Sequence, residues 1–146
     1  MAVFRFKLKT LHRLKKQIED QAKNRLGLAI AALDAETLKL NQIRSIISMT
    51  IDESRKLSGG RFTAGKIKEY NYFLALMRKK AEEQIPVVEN ARRLVNEARN
   101  ELLKAARQRE IFDKLREKAL SQYLEDEKRA ERMLMDEIVS YRGNAM

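Results

Sequence analysis

The sequence of 146 residues lacks cysteine and tryptophan and contains one proline, one histidine and five glycines. Without cysteine the chain forms no disulfide and offers no thiolate as a nucleophile or metal ligand. His12 is the only imidazole, so Ser-His-Asp catalysis or a histidine-pair zinc site would depend on one residue. No apolar run reaches the roughly 18 residues that cross a membrane. The composition therefore argues against an enzyme and against a transmembrane protein.

The composition also predicts the fold class. More than half of the residues are Ala, Glu, Lys, Leu or Arg, which is typical of long helices and coiled coils. Turn residues are too few for a sandwich, a barrel or an alternating α/β fold. Charged residues make up 36% of the chain and aromatic residues 6%, so a compact core is not expected. We therefore predict an all-α protein.

Two interruptions divide the chain. Gly59-Gly60 would cost a helix interior about 2 kcal/mol relative to alanine, so this pair indicates a turn. Two amphipathic helices joined by a short turn fold back on each other. We therefore predict a single domain, a long antiparallel two-helix coiled-coil hairpin, with a first arm at about 3–57, a turn at 58–62 and a second arm at about 63–141.

Pro86 leaves two possibilities for residues 63–85. Its missing N–H and its ring either kink a continuous second helix or separate a short helix at the hairpin tip. We favour the kinked continuous helix, because one proline often bends a helix without ending it.

Apolar residues repeat every three or four positions in both arms, as expected for amphipathic helices. In the second arm this stripe thins between Ser121 and Arg132, and Gly143 indicates a helix stop after Tyr141. The predicted stripe of the first arm is Leu11, Leu14, Ile18, Ala22, Leu26, Ala29, Leu33, Thr37, Leu40, Ile43, Ile47 and Ile51. The predicted stripe of the second arm is Ala91, Val95, Ala98, Leu102, Ala105, Arg109, Phe112, Leu115, Ala119, Tyr123, Asp126, Ala130, Leu134, Ile138 and Tyr141.

Basic charge concentrates at the start of the chain. Residues 1–25 hold eight Lys or Arg against two acidic residues, a net charge of +6. Such a patch attracts anionic lipid, nucleic acid or an acidic protein surface. Phe4 and Phe6 interleave with the cations, as in an interfacial anchor. We expect His12 to be a surface histidine among these lysines and not a metal ligand.

Residues 60–67 come close to the phosphate-binding loop motif G-x-x-x-x-G-K-[ST]. The last position is Ile67 where the motif needs Ser or Thr, and the preceding segment is helical where the motif needs a strand. We therefore expect no nucleotide and no other cofactor, and interpret Thr63 as a helix cap.

The order and spacing of four features resemble the FliJ family of flagellar type III export proteins. The resemblance covers essentially the whole chain and is strongest from Leu115 to Arg142. The features are the opening Phe4-x-Phe6-x-Leu8-x-x-Leu11, the glycine turn near 59–65, the Tyr70 and Phe73 cluster, and the ending Glu131-Arg132-x-x-x-Asp136-Glu137.

The resemblance implies a non-enzymatic stalk. Members of the family are long antiparallel two-helix coiled coils that bind the ring of the export ATPase, FliI, through the end that carries both termini. They also bind the export gate protein FlhA and export chaperones, which implies a cytoplasmic protein at the inner face of the membrane. Carried onto this chain, the ATPase-binding residues are Phe4, Phe6, Leu8, Arg132, Asp136 and Glu137, and the gate-binding residues are Ile43, Ile46, Tyr70, Phe73 and Met77.

Three other functions remain open. One is a basic coiled coil that binds nucleic acid, with an affinity that falls steeply with salt. The others are the central stalk of a rotary ATPase and the corresponding stalk of a virulence secretion system. If the chain is similar to the FliJ family in function, we expect no nucleic-acid partner.

The predicted hairpin has a measurable size. A globular domain of this length has a radius of gyration of about 15 Å, whereas each arm of about 55 residues would be about 80 Å long. Small-angle scattering of the purified chain should therefore give a radius well above 15 Å, together with a strongly helical circular dichroism spectrum. A radius near the globular value would contradict the hairpin.

Overall fold

A computed structural model of the protein describes residues 3–58 and 64–145. It contains two helices, α1 (Lys9–Ser58) and α2 (Ala64–Ala145), and no strand within those residues. The prediction of an all-α fold is confirmed. The predicted Gly59-Gly60 turn and the predicted cap at Thr63 lie outside the described residues.

The first helix starts later than predicted. Residues 3–8 are not helical, so the predicted start at about residue 3 is wrong. The side chains of this segment alternate between exposed and half-buried, and the half-buried ones are Phe4, Phe6 and Leu8. The N–H of Lys9 then bonds to the carbonyl of Phe6 at 3.1 Å, and α1 begins.

The second helix ends later than predicted. α2 continues through Gly143 to Ala145, so the predicted stop at Gly143 is wrong. A glycine stop uses the left-handed backbone region, and no described glycine has a positive φ. Glycine inside a helix costs only about 1 kcal/mol, and here the helix tolerates it.

Pro86 lies inside α2, which runs unbroken from Ala64. Residues 64–85 therefore continue the second helix, as we favoured, and the alternative of a separate tip helix is wrong. A kink at Pro86 stays a prediction. Close to the proline, the Gln84 side-chain amide donates to the backbone carbonyl of Glu36 at 3.0 Å and to its carboxylate at 2.6 Å. Val88 on the other side of the proline is buried, so both flanks of Pro86 are held in the interface.

The chain divides into two compact units, which we call the terminal unit (residues up to Gln21 with Leu103 onward) and the central unit (Ala22–Leu102). In the central unit α1 and α2 run antiparallel, because Arg25 pairs with Glu101 and Glu36 with Gln84. Small side chains at the interface let the helix backbones approach closely. The buried apolar residues of this unit are Ala22, Leu40, Val88, Ala91, Val95 and Ala98.

The predicted stripes hold for most of their length. Every member of the first stripe from Ala22 to Ile51 is buried or half-buried, and so is every member of the second from Ala91 to Phe112. Leu11, Leu14, Ile18 and Leu115 are exposed instead, and so are the five stripe members beyond Tyr123, which are Asp126, Ala130, Leu134, Ile138 and Tyr141. These nine positions are wrong as interface residues. The predictions for Leu11, Leu14 and Ile18 on α1 are wrong for one shared reason, which is a polar network in the terminal unit.

Ala98→Leu should destabilise the central unit. The alanine is 8% exposed, and overpacking a filled interface usually costs about 1–3 kcal/mol. Ala32→Leu is the matched control, because Ala32 is an exposed helical residue of the same unit, and its effect should stay within about 0.5 kcal/mol. Urea denaturation followed by circular dichroism measures both. Equal midpoints for the two variants would contradict the close approach of the helices.

Candidate functional site

A buried polar network joins the two helix segments of the terminal unit. His12 is 7% exposed, and its Nε2 lies 2.5 Å from Oδ1 of Asp113. Arg109 donates through Nη1 to Oδ2 of the same aspartate at 2.5 Å and through Nε to the carboxylate of Glu19, which is also 7% exposed. Two residues of α1 are thus tied to two of α2 by charged hydrogen bonds.

Aromatic rings close the network on the side of the N-terminal segment. Phe6 meets the imidazole of His12 edge-on at 6.0 Å, and Phe112 stacks against its other side at 6.4 Å. Phe4 packs on Tyr123 at 5.5 Å. The N-terminal segment is therefore held against α2 through Phe4 and against α1 through Phe6, which accounts for the partial burial of both rings.

This network corrects two sequence predictions. His12 is a buried interface residue, so its placement on the surface is wrong. Leu11, Leu14 and Ile18 are wrong as interface residues because the inward face of α1 is rotated by one position, to His12, Lys15 and Glu19. The sequence pattern favoured Leu11, Leu14 and Ile18 because an amphipathic helix usually turns its apolar residues toward its partner. The one available signal was Arg109, a charged residue inside the second stripe, which needs an acidic partner across the interface.

Hydrogen bonding stabilises the charged forms of Asp113 and Arg109. Donation from His12, and next from Arg109, lowers the pKa of Asp113 below its ordinary 3.8, although partial burial opposes this. The pKa of Arg109 is raised by its bonds to Glu19 and Asp113. An ionised Asp113 accepts from both neighbours, so at neutral pH His12 Nε2 carries the donated proton.

In the terminal unit, α2 extends beyond the last of its residues that packs against the rest of the unit. Tyr123, which touches Phe4, is half-buried, and every residue from 124 to 144 is exposed. We call residues 124–144 the overhang. A long exposed segment with many apolar side chains is typical of a protein-binding surface. In the overhang they are Leu124, Met133, Leu134, Met135, Ile138, Val139 and Tyr141.

The six predicted ATPase-binding residues fall into two groups. Phe4, Phe6 and Leu8 are half-buried against the packed part, whereas Arg132, Asp136 and Glu137 are exposed on the overhang. Nine residues of helix from Tyr123 to Arg132 correspond to about 13 Å. The two groups share the terminal unit but do not form one contiguous surface.

The five predicted gate-binding residues belong to the central unit. The Glu36 and Gln84 pair sets a register that places Ile43 level with Met77. Ile43, Tyr70 and Met77 are half-buried, and Ile46 and Phe73 are exposed at 41% and 37%. A groove of about 270 Å³ is lined by Tyr70 and Phe73 together with Thr50, Glu53, Lys66 and Glu69.

Residues 3–58 and 64–145 contain neither a metal-binding cluster nor a membrane-spanning helix. No group of three or more His, Cys, Asp or Glu side chains could hold a metal ion there. Neither helix, over its described length, carries an apolar stretch sufficient to span a lipid bilayer.

Antiparallel pairing of α1 and α2 in both units defines a two-helix coiled-coil protein. Residues 4–145 match the family described as "Flagellar FliJ protein". The chain belongs to the FliJ family and is thereby a component of flagellar or type III protein export, as the sequence resemblance predicted.

Comparison with solved structures agrees on the fold. The chain resembles a protein described as a YscO homolog, CT670 from Chlamydia trachomatis, with a TM-score of 0.65, 21% identity and 93% of each chain covered. At that identity the likeness shows the fold alone. No curated protein sequence matches the chain.

Asp113→Ala should destabilise the protein at pH 7, because it leaves the buried His12 without its acceptor. The expected cost is about 1–3 kcal/mol. The lowered pKa of Asp113 means that its carboxylate stabilises the folded state above pH 3.8, and that this stabilisation is lost as the pH falls below that value. The difference from wild type should therefore shrink on acidification.

Asp20→Ala is the control, because Asp20 lies one position further along α1 than Glu19 and is exposed. Denaturant titrations at pH 7 and near pH 3 measure all three proteins. A loss in Asp113→Ala that does not depend on pH, or that Asp20→Ala reproduces, would contradict the role of the carboxylate.

Proposed function

We propose that the protein is a non-enzymatic stalk of the flagellar export apparatus that binds the ring of the export ATPase through its overhang and the export gate through its central unit. The observation that carries the proposal is the exposure of every residue from 124 to 144 in a chain of the FliJ family. Most of the stability of a helix in a protein comes from packing of its apolar face, so a partner that encloses the unpacked overhang adds stability.

The dimensions of the overhang suit a ring. A single α-helix with its side chains is about 10–12 Å across, narrower than a pair of helices. Its exposed apolar side chains alternate with charges of both signs, which include Arg132, Asp136 and Glu137. Many weak contacts of this kind can hold a helix in a lumen without fixing one orientation. These three residues are the proposed direct contacts of the ATPase.

Phe4, Phe6 and Leu8 receive a different role in this proposal. They are half-buried, and two of them pack on Tyr123 and His12. We assign them to holding the N-terminal segment where the overhang begins, so that the packed pair ends abruptly and the single helix continues. The ring would meet their outer edges only.

The gate-binding proposal rests on the central unit. Ile46 and Phe73 expose apolar area beside the groove that Tyr70 lines, and Ile43 and Met77 lie level with each other on the two helices. An apolar patch on a charged surface is a common mark of a protein-binding site. Export chaperones are further proposed partners, without assigned residues.

No catalytic role is part of the proposal. The single imidazole, His12, is enclosed by Phe6 and Phe112 and bonded to Asp113, so it is engaged in holding the helices together. We place the protein in the cytoplasm at the flagellar base, held to the membrane through its partners.

A chain truncated after Tyr123 should lose binding to the purified ATPase ring by at least tenfold, because the proposed lumen contacts are gone, and should no longer alter ring assembly or ATP turnover. The triple variant Arg132→Ala, Asp136→Ala, Glu137→Ala tests the named residues in a helix of full length and should weaken binding in the same direction. Co-sedimentation and ATPase assays measure both.

Tyr70→Ala with Phe73→Ala is the matched control. This variant should retain ring binding and lose the export gate protein, while the truncated chain should show the opposite pattern. Full ring binding by the truncated chain would reject the overhang as the binding element. Retention by nucleic acid in place of either protein, with strong dependence on salt, would favour the basic nucleic-acid binder instead.

A further inference from the structure

A positively charged cleft opens in the terminal unit beside the buried network. It measures about 580 Å³ and lies between the start of α1 and residues 113–117 of α2. Lys9, Arg13 and Lys16 reach it from α1 and Arg116 from α2, with His12 among its lining residues. An adjoining hollow of about 340 Å³ shares Lys9 and Arg116 and adds Arg5.

The cations of the cleft are poorly neutralised. Among the described residues, no carboxylate lies within ion-pair distance of Lys9, Arg13, Lys16 or Arg116. Arg116 instead stands 6.0 Å from the ring of Phe4. Two acidic residues also line the cleft, Asp113 and Glu117. The Asp113 carboxylate is engaged by His12 and Arg109, so Glu117 is left to offset the four cations Lys9, Arg13, Lys16 and Arg116.

The start of α1 adds to the positive potential. Its first turn supplies Lys9 and His12 to the cleft and contains no acidic residue. The first turn of a helix carries a partial positive charge, which acidic side chains commonly offset. Here cationic side chains and the helix end act in the same direction.

The extent of the cleft limits the kind of anion. Glu19 and Asp20 follow Lys16 on α1, and the overhang beyond Tyr123 is rich in acidic residues, so the positive surface is short. A duplex carries a charge about every 1.7 Å along its length and would overrun it. Cations contributed by two helices around a hollow suit a compact anion with several charges.

We propose that this cleft binds a compact phosphate-bearing anion, either a soluble polyphosphate or the headgroup of a phospholipid. Arg13 and Arg116 offer planar guanidinium groups that can each donate two parallel hydrogen bonds to one phosphate, and Lys9 and Lys16 act as point charges. The proposal is independent of ATPase-ring binding, because the purified chain alone is sufficient to test it.

Calorimetric titration of the full chain with sodium tripolyphosphate is the first test. We expect saturable binding of one anion per chain, weakened by added NaCl because screening reduces the attraction. Sulfate at matched ionic strength should bind at least tenfold more weakly. Sedimentation with phosphatidylcholine vesicles, with and without phosphatidic acid, distinguishes the lipid source from the soluble one.

The test variant is Arg13→Gln, Lys16→Gln, Arg116→Gln, which should weaken tripolyphosphate or phosphatidic acid binding at least tenfold. The matched control is Arg78→Gln, Lys79→Gln, Arg99→Gln, which removes the same charges from exposed positions of the central unit and should bind as wild type. Circular dichroism at the working temperature confirms that both variants are helical.

Three results would overturn the proposal. The first is no saturable binding of either phosphate source. The second is equal weakening in both variants, which would show a response to net charge alone. The third is tighter binding of poly-glutamate than of tripolyphosphate, which would make the cleft a site for an acidic peptide. Binding of phosphatidic acid vesicles alone would support the lipid source.

Discussion

The register of the terminal unit depends on the buried network of His12, Asp113, Arg109 and Glu19. Apolar side chains can slide past each other by one helical turn at modest cost, but a slip here would leave the buried His12 and Glu19 without their hydrogen-bond partners, which is unfavourable. A slip of one turn would separate Arg109 from Glu19 and His12 from Asp113 together. Polar interface residues that fix a coiled-coil register act in this way.

The register in turn decides where the interface ends. Once His12 faces Asp113, the N-terminal segment before α1 reaches Tyr123 and packs there through Phe4. Beyond that point, residues 124–144 of α2 are all exposed. The overhang on which the proposed ring binding rests is therefore a consequence of the buried network, and so is the cleft, whose walls are the residues next to His12 and Asp113.

Two helices that pair with each other can cover only one face each. Leu28, Leu38 and Leu103 remain 73%, 58% and 54% exposed, and the interface itself is built largely from alanine and valine. A pair of helices with so little buried apolar area gains from further partners. The same geometry that limits its core leaves apolar surface available to partners.

The general architecture could be predicted from the sequence, but the exact ends of the two helices could not. The helical class was predicted from composition, the antiparallel pairing from the glycine turn, and the stripe from Ala22 to Ile51 from periodicity. The continuity through Pro86 was predicted because one proline often bends a helix without ending it. The start at Lys9 was missed because Phe4 and Phe6 fit an amphipathic helix as well as an extended strand. The helix end was missed because Gly143 marks a stop only if its backbone turns left-handed.

The candidate sites divide in the same way. The resemblance supplied the predicted residues of the overhang and of the central unit. Those on the overhang, Arg132, Asp136 and Glu137, are exposed, whereas three of those in the central unit, Ile43, Tyr70 and Met77, are half-buried. The one-residue rotation that buries His12 and Glu19 was not predictable from hydrophobicity, because the free energy that favours it comes from partners about 90 to 100 residues away. The sequence by itself determined that the chain forms two paired helices of the FliJ family. Tertiary structure decided which face pairs and where pairing stops, because hydrogen bonds between α1 and α2 exist only once both helices are in place.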